Sequence, residues 1–482
     1  MKKILMVLMG LEIGGAETHV VELSLTLQKR GWEVLVASNG GVYEKTLEEH
    51  GIRHFSVPTH TRSPKMMRRA YFALERIIRQ EKPDIVHAHA RIPAFLCGKL
   101  QKKLGFPFVT TAHGVFRINP MLRFLSNWGR QTLAVSEDIR EYLIDQYDLP
   151  AGQIHVISNG IDTAAFSPEH SGKEARAEFQ IPEDVPVVAC VTRLQPDNSL
   201  AAELLLASAA ALAEQNQGLR ILLVGDGERL EAFKQQAAAI NQKLGYPCVV
   251  MTGGRTDVAR LVAACDVFVG VSRAALEAMS AGKPTVLCGN AGYGGIAREE
   301  AAAANLASNY CCRGNRMGTA VELTADIQTL LTMPKEQRIA IGMEDRGIVE
   351  RDFSLNAMVR NCETVYQLAL QPKRRVVVSG YYGYENLGDE TILSTICSRY
   401  REQYDLVVLS KQPHLTEKKF GVTAISRFHM LKVQRAIRGC DLLISGGGSL
   451  LQDRTSTRSL MYYLSVMHLA QRKKKPVVVY AN

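Results

Sequence analysis

The sequence predicts an α/β protein of three successive parallel, doubly wound units. Three observations predict it. Short apolar runs alternate with amphipathic helical stretches along almost the whole chain, the pattern of strands feeding crossover helices. A polar stretch, Ser167 to Glu178, separates one alternating series from a second. A basic segment, Pro372-Lys373-Arg374-Arg375, precedes a third.

Length and composition agree with this. A chain of 482 residues has room for about three domains of ordinary size. With 46% hydrophobic and 22% charged residues, each can bury a core. The net charge of +10 suits anionic partners such as nucleotide phosphates, polyanionic glycans or a lipid surface. No basic and aromatic reading face or nucleic-acid module accompanies it, so nucleic acid is excluded as a partner. The ten cysteines are scattered without C-x-x-C spacing, which fits a reduced, cytoplasmic setting and argues against a disulfide framework or a zinc site. The opening MKKILMVLMG leads directly into a glycine turn and lacks a small-residue cleavage site, so it reads as a buried strand. No apolar run is long enough for a transmembrane helix.

In order, Lys3 to Met9 is the first strand, Gly10 to Ala16 a glycine turn and Glu17 to Arg30 a helix. Gly14 and Gly15 would let a sugar or phosphate approach bare backbone. The full G-x-G-x-x-G fingerprint and its acidic partner are missing, which disfavours NAD. Strands follow at Glu33 to Ser38, His54 to Pro58, Asp84 to Ala90, Phe108 to His113 and Thr132 to Ser136. His87 and His89 share one strand face and read as structural, because no carboxylate or cysteine completes a metal set. His113, at a strand end beside a glycine, is the better candidate to touch substrate. Thr61 to Arg79 is basic and amphipathic, either a core-facing helix with a solvated side or a surface for anionic lipid. Met121 to Arg130 is a second, weaker membrane candidate.

The second series has a strand at Val185 to Leu194, a helix at Ser199 to Glu214 and a strand at Leu219 to Gly227. Arg193, at a strand end, would face the cleft between the two halves and hold a diphosphate bidentately. The stretch Val267 to Leu287 organises the whole reading. A strand ends at Gly270, a helix runs from about Ala274 to Ala281 with Ser272 as its N-cap, and Gly282-Lys283-Pro284 stops it before another strand. The helix opens at the carboxyl edge of the sheet, where its unpaired N–H groups favour a phosphate. Glu277 leans back toward that end, within reach of hydroxyls near the phosphate, so the stretch reads as a nucleotide-sugar pocket.

GGAE (Gly14 to Glu17), TAHG (Thr111 to Gly114), SNGID (Ser158 to Asp162), TRL (Thr192 to Leu194), GDG (Gly225 to Gly227) and LEAMSAGKP (Leu276 to Pro284) occur in one order. In that order residues 1 to about 371 resemble the family 4 glycosyltransferases, enzymes with two Rossmann-like halves in the GT-B architecture. The resemblance implies a first half over 1–166, completed by a crossing helix near 356–371, and a donor half over 167–355. It implies transfer of a sugar from a nucleotide-diphosphate donor, with retention, without a metal or other cofactor. Gly15 would lie near the donor phosphates, His113 near the donor sugar, Arg193 on the diphosphate and Glu277 on the ribose. Gly14, Asn159, Gly225, Ser272, Arg273 and Lys283 complete the expected donor set.

Two positions depart from the family. A lysine expected five residues after the arginine is Asn198, and the first glutamate of an E-x-x-x-x-x-x-x-E motif is Val269, in a shortened loop. Arg273 or Lys283 would have to supply the missing charge.

VVVSGYYGYENLGDETIL (Val376 to Leu393) and DLLISGGGSLLQD (Asp441 to Asp453) closely resemble the start of polysaccharide pyruvyl transferases. By that resemblance 374–482 is an incomplete third Rossmann-like domain, with Tyr381, Asn386, Asp389, Gly447 and Ser449 lining a cleft for phosphoenolpyruvate. The family's second half is missing, so pyruvyl transfer by this chain alone is not expected.

The expected function is glycosyl transfer to a cell-envelope polysaccharide or lipid-linked glycan, in the cytoplasm or peripherally on the inner face of the membrane. Two alternatives stay open: a nucleotide-sugar epimerase or hydrolase of the same architecture, and a degenerate binding or scaffold half joined to a pyruvyl transferase fragment.

Overall fold

The computed structural model describes residues 1–480 apart from 13, 116–125, 302–304, 307, 372 and 448–456. The first sheet contains β1 (Lys3–Val7), β2 (Glu33–Ser38), β3 (Arg53–Ser56), β4 (Ile85–His89), β5 (Phe108–Ala112), β6 (Gln131–Ala134) and β7 (Ile154–Val156). All pairs are parallel, in the order β3-β2-β1-β4-β5-β6-β7. The apolar run at the N-terminus is thus a central strand, covered on both faces as parallel strands are. Ile4 and Met6 meet Val20, Leu23 and Leu27 of the helix Gly15–Lys29. Leu5 and Val7 meet Ala70, Leu74 and Leu100 on the other side. The strand order reverses between β1 and β4, which opens a crevice at the carboxyl edge.

The helix Leu355–Leu370 returns to this sheet: Met358, Val359, Cys362, Val365 and Tyr366 share a core with Ile4, Met6 and Val20. Ser354 starts it by accepting the Ala357 N–H at 3.1 Å. Glu363 fixes its azimuth, accepting from Arg30 Nη2 at 2.7 Å and Trp32 Nε1 at 2.9 Å.

The second sheet contains β8 (Val187–Val191), β9 (Arg220–Val224), β10 (Val249–Gly253), β11 (Val267–Gly270), β12 (Thr285–Gly289) and β13 (Gly292–Ile296), ordered β10-β9-β8-β11-β12-β13. Only β13 is antiparallel, paired with β12. Its sequence, GYGGI, is glycine-rich and weak as an isolated strand; pairing with β12 holds it extended.

The third sheet is parallel, with β14 (Arg374–Tyr382), β15 (Tyr404–Ser410), β16 (Thr423–Ser426), β17 (Leu442–Gly446) and β18 (Val477–Tyr480) in the order β16-β15-β14-β17-β18. Arg374 and Arg375, expected in a linker, instead open β14, where Arg375 Nε donates to Asp405 at 2.6 Å. The architecture is therefore the expected one of three Rossmann-like α/β sheets, the third the smallest. All ten cysteines are free thiols. Among the described residues no helix is long and apolar enough to cross a membrane.

Candidate functional site

The helix Ser272–Ser280 begins where β11 ends and so points its N-terminus at the carboxyl edge of the second sheet. Val271, not Ser272, is the N-cap; Ser272 is the first helical residue and sits at φ +55°. Its N–H is already taken by the Tyr310 carbonyl at 2.8 Å, so the expected serine cap is replaced by a backbone tie. Glu277 lies one turn further and is held by Arg273, whose Nε donates to it at 2.8 Å. Burial raises the Glu277 pKa, against the pull of the Arg273 charge.

Arg273 also reaches across to the first half. Its Nη2 donates to Glu22 Oε1 at 2.9 Å, on the helix Gly15–Lys29. Burial disfavours the charged guanidinium, but Glu22 and Glu277 outweigh it and its pKa is raised. A second ion pair, Arg313 with Asp138, joins the two halves elsewhere.

The floor facing this helix is made of histidines. His19 lies one turn before Glu22, His89 ends β4 and His113 follows β5, and one ring nitrogen from each lies within 4.8 Å of the others. His89 Nδ1 and His113 Nε2 are 3.0 Å apart. Burial lowers the His19 pKa to about 4 and the His87 pKa to about 3, and holds His89 and His113 well below their ordinary value. These rings are therefore neutral at pH 7, each with one donor and one acceptor nitrogen. His89 Nε2, His113 Nδ1 and Glu22 Oε2 are buried without a hydrogen-bond partner among the described residues, and the buried His19 ring has its hydrogen-bonding interaction only with the side chain of Asn159. Such a concentration of unsatisfied polar atoms is costly unless a polar ligand completes it. Neutral imidazoles of this kind can serve sugar hydroxyls or a metal ion.

His113, Asn159, Arg273 and Glu277 are thus brought to one cleft. His87 is structural, as its strand position suggests, with Nδ1 2.9 Å from Tyr366 Oη and Nε2 2.7 Å from Thr111 Oγ1. His89 packs beside it and touches His113. The sequence reading missed His19 and Glu22; their spacing beyond Gly14 and Gly15, on the cleft-facing side of one helix, was the available signal. Gly14 is the extended N-cap of that helix, and a Cβ on Gly15 would meet nothing, leaving open space above it.

On the second half, Arg193 is exposed and makes no ion pair or hydrogen bond among the described residues. Gly225 and Gly227, at φ +159° and +151°, support the turn below it: Cβ atoms there would collide with the carbonyls of Thr192 and Leu194. The Gly225 N–H is spent on the Gly253 carbonyl at 3.0 Å, so its role is conformational. Lys283 does not reach the donor edge. Its Nζ donates to the carbonyls of Ala263 (2.8 Å) and Cys265 (2.9 Å), just before the opposite end of β11, because the helix stop turns its side chain back under the sheet. Val269, in place of a glutamate, is wholly buried within β11.

In the third unit, Tyr381 stacks on Tyr384 with centroids 3.9 Å apart. Asn386 caps the helix Leu387–Tyr400, accepting from the N–H groups of Gly388 and Asp389 at 3.1 and 3.2 Å, and Asp389 is buried in its first turn. Gly447, at φ +149°, follows β17, and Ser449 lies outside the described residues. A residue not singled out in the sequence, Arg427, is buried there, donating to the Gly380 carbonyl and Tyr463 Oη and lying 4.4 Å from the Tyr462 ring centre.

With this geometry in hand, the comparisons are specific. Residues 13–165 match Glycosyltransferase Family 4, 185–311 match Glycosyl transferases group 1, and 386–482 match Polysaccharide pyruvyl transferase. The chain is 26% identical over 282 residues to the UDP-Gal:alpha-D-GlcNAc-diphosphoundecaprenol alpha-1,3-galactosyltransferase of Escherichia coli, covering 52% of this chain and 70% of that one. Among solved structures, a glycosyltransferase from Rickettsia africae superimposes with a TM-score of 0.63 at 21% identity, covering 77% of this chain and all of that one. The HepE protein of Anabaena in complex with UDP gives a TM-score of 0.58 at 19% identity, covering 76% of this chain and all of that one. These two likenesses speak to the fold. The matches to both glycosyltransferase families and to the third, together with the two-sheet cleft, identify the chain as a GT-B type glycosyltransferase fused to a pyruvyl-transferase-like domain.

Proposed function

We propose that the chain moves a sugar from a nucleotide-diphosphate donor to a polysaccharide or lipid-linked glycan acceptor of the cell envelope. The observation that carries this reading is the buried polar cluster of His19, His89, His113, Asn159 and Glu22, with unsatisfied atoms on His89, His113 and Glu22, facing a helix N-terminus across the cleft between two Rossmann-like sheets. The bound UDP of the HepE structure, in a protein of the same fold, supports it.

In this reading residues 1–166 with the helix near 356–371 form the acceptor side, 167–355 the donor side and 374–482 the appended domain. The N–H groups of Arg273 and Ala274 and the guanidinium of Arg193 stabilise the departing diphosphate. Glu277 accepts from ribose hydroxyls, held in place by Arg273. His113 and His19, neutral at working pH, hydrogen-bond the donor sugar. The acceptor hydroxyl attacks from the face the diphosphate leaves, which retains configuration and calls on no metal.

Peripheral membrane contact belongs to the same reading. The helix Pro64–Glu81 exposes Phe72 at 53%, with Arg68 5.8 Å from its ring centre. Beside it a surface cavity of about 470 Å³ is lined by Met67, Tyr71, Phe95 and Leu96 and rimmed by Arg68 and Lys99. Aromatic and basic groups together suit an anionic lipid surface.

The test is a thermal-shift and turnover screen against UDP, GDP and CMP sugars. Stabilisation by one nucleotide, lost in Glu277→Ala and weakened at least about tenfold in Arg193→Ala, is expected. Wholly buried Val269 and the Asn198 substitution favour a second reading, a binding module that retains the nucleotide but does not turn it over. Nucleotide binding without product, unchanged by Arg193→Ala, would establish that one instead.

A further inference from the structure

Arg273 is shared between two carboxylates that belong to different halves of the molecule. Its bond to Glu277 lies within one helix turn, at 2.8 Å; its bond to Glu22 crosses the cleft, at 2.9 Å. The two bonds are not equivalent. Glu277 leaves helix and guanidinium together wherever the donor half moves, whereas the Glu22 contact uses one oxygen, Oε1, and leaves Oε2 buried without a partner. A bond through a single carboxylate oxygen lacks the bidentate geometry that makes arginine pairs strong.

The local charge balance is also uneven. One guanidinium faces two carboxylates, at the N-terminus of the helix assigned above to the donor diphosphate. A diphosphate arriving there meets Glu22 as a like charge and Arg273 as the nearest cation on the helix. Apart from the exposed Arg193, the other nearby sources of positive charge are committed or missing. Lys283 is tied to two carbonyls, and position 198 holds asparagine. Arg229 is paired with Glu203, and Arg255 and Arg260 with Glu178 and Asp257.

We infer that Glu22 and the donor diphosphate compete for Arg273: donor binding transfers the guanidinium from Glu22 to the phosphates, and Glu22 closes the site when no donor is present. This rests on the donor reading above and names the device that regulates it. The exchange leaves the Glu22 carboxylate facing the same cleft as the buried ring of His19, one helical turn away. Its vacated oxygen then needs a new donor, and a hydroxyl of the incoming sugar or acceptor is the group that fits. One of the contacts that join the halves without donor becomes a hydroxyl contact with it. No covalent step is involved.

Calorimetric titration of the full chain with UDP, GDP and CDP tests the exchange. Removing a competitor strengthens binding, so Glu22→Gln should bind the preferred diphosphate about three- to tenfold more tightly than the unmodified chain. Arg273→Gln should bind it at least about tenfold more weakly, with Arg273→Lys recovering part of the loss. In the double variant Glu22→Gln/Arg273→Gln the gain should vanish, because the competitor acts only through Arg273. A purely structural role for the pair predicts the opposite sign, weaker binding in Glu22→Gln. Should that variant fold poorly, Glu22→Asp, which shortens the reach to Arg273, should show the same tightening. Diphosphate binding that Glu22→Gln and Glu22→Asp leave unchanged or weaken overturns the exchange alone. Absence of diphosphate binding by the unmodified chain overturns the donor reading and the exchange with it.

Discussion

The hydroxyl of Tyr366, in the helix that returns to the first sheet, lies 2.9 Å from Nδ1 of His87, both side chains fully buried. This contact spans 279 residues of sequence and ties the end of the glycosyltransferase region to the floor of its cleft. His87 in turn packs against His89 at a tilt, 4.1 Å between centroids, and His89 meets His113.

Replacing Tyr366 with phenylalanine removes the hydroxyl and leaves His87 Nδ1 buried and unpaired. A loss of about 1–3 kcal/mol in unfolding free energy is expected, measured by urea denaturation. Unchanged stability would show that the contact contributes nothing in solution.

The histidine cluster imposes a pH dependence. Burial puts His19 at about 4 and His87 at about 3, against an ordinary value of 6.5, with His89 and His113 also well below it. Between about pH 6.5 and 4 the unfolded chain takes up protons that the folded chain does not. The contribution of these histidines to stability therefore rises with pH across this window and levels off above it. Each such histidine adds up to about 1.4 kcal/mol per pH unit to the slope. Equilibrium unfolding of His19→Gln across the window should give a shallower slope than the unmodified chain; an equal slope would contradict the assignment.

Lys283 separates structure from chemistry. Lys283→Met should lower the melting temperature, since two carbonyls lose their donor, yet leave the apparent KM for the donor sugar unchanged. A rise in KM with unaltered stability would return Lys283 to the donor site.

Asp345 is a buried carboxyl with neither oxygen partnered among the described residues, and burial pushes its pKa up to about 8. The folded chain holds its proton from about pH 4 to 8 while the unfolded chain releases it, so this residue costs stability progressively as pH rises through that range. Asp345→Asn should accordingly stabilise the chain at pH 8, with the gain shrinking toward pH 4. Differential scanning calorimetry at the two pH values reads it directly, and a gain independent of pH would rule out the titration.

Much of the fold was legible in the chain itself. Strands β1, β2, β5, β8, β9 and β11 stand out because a parallel strand buried on both faces must be continuously apolar. The helix after β11 is legible from its stop, Gly282 at φ +66° followed by proline. Motif order pointed to Arg193, His113 and Glu277 as the residues to examine. Strand β13 was not legible, because GYGGI has no strand preference of its own and is extended by pairing with β12.

What the sequence by itself determined is the set of local units and their order, since hydrophobic period, glycine turns and helix stops act over a few neighbouring residues. Which charges meet was decided by the tertiary structure alone. Ser272 looks like a cap, but the Tyr310 carbonyl takes its N–H. Lys283 looks like a phosphate ligand, but the carbonyls of Ala263 and Cys265 hold it at the far end of the strand. Glu22 looks like one more solvated helix residue, but the packing of two sheets sets Arg273 against it from 251 residues away. Electrostatic partnership depends on distance in space, and only the closed fold sets that distance.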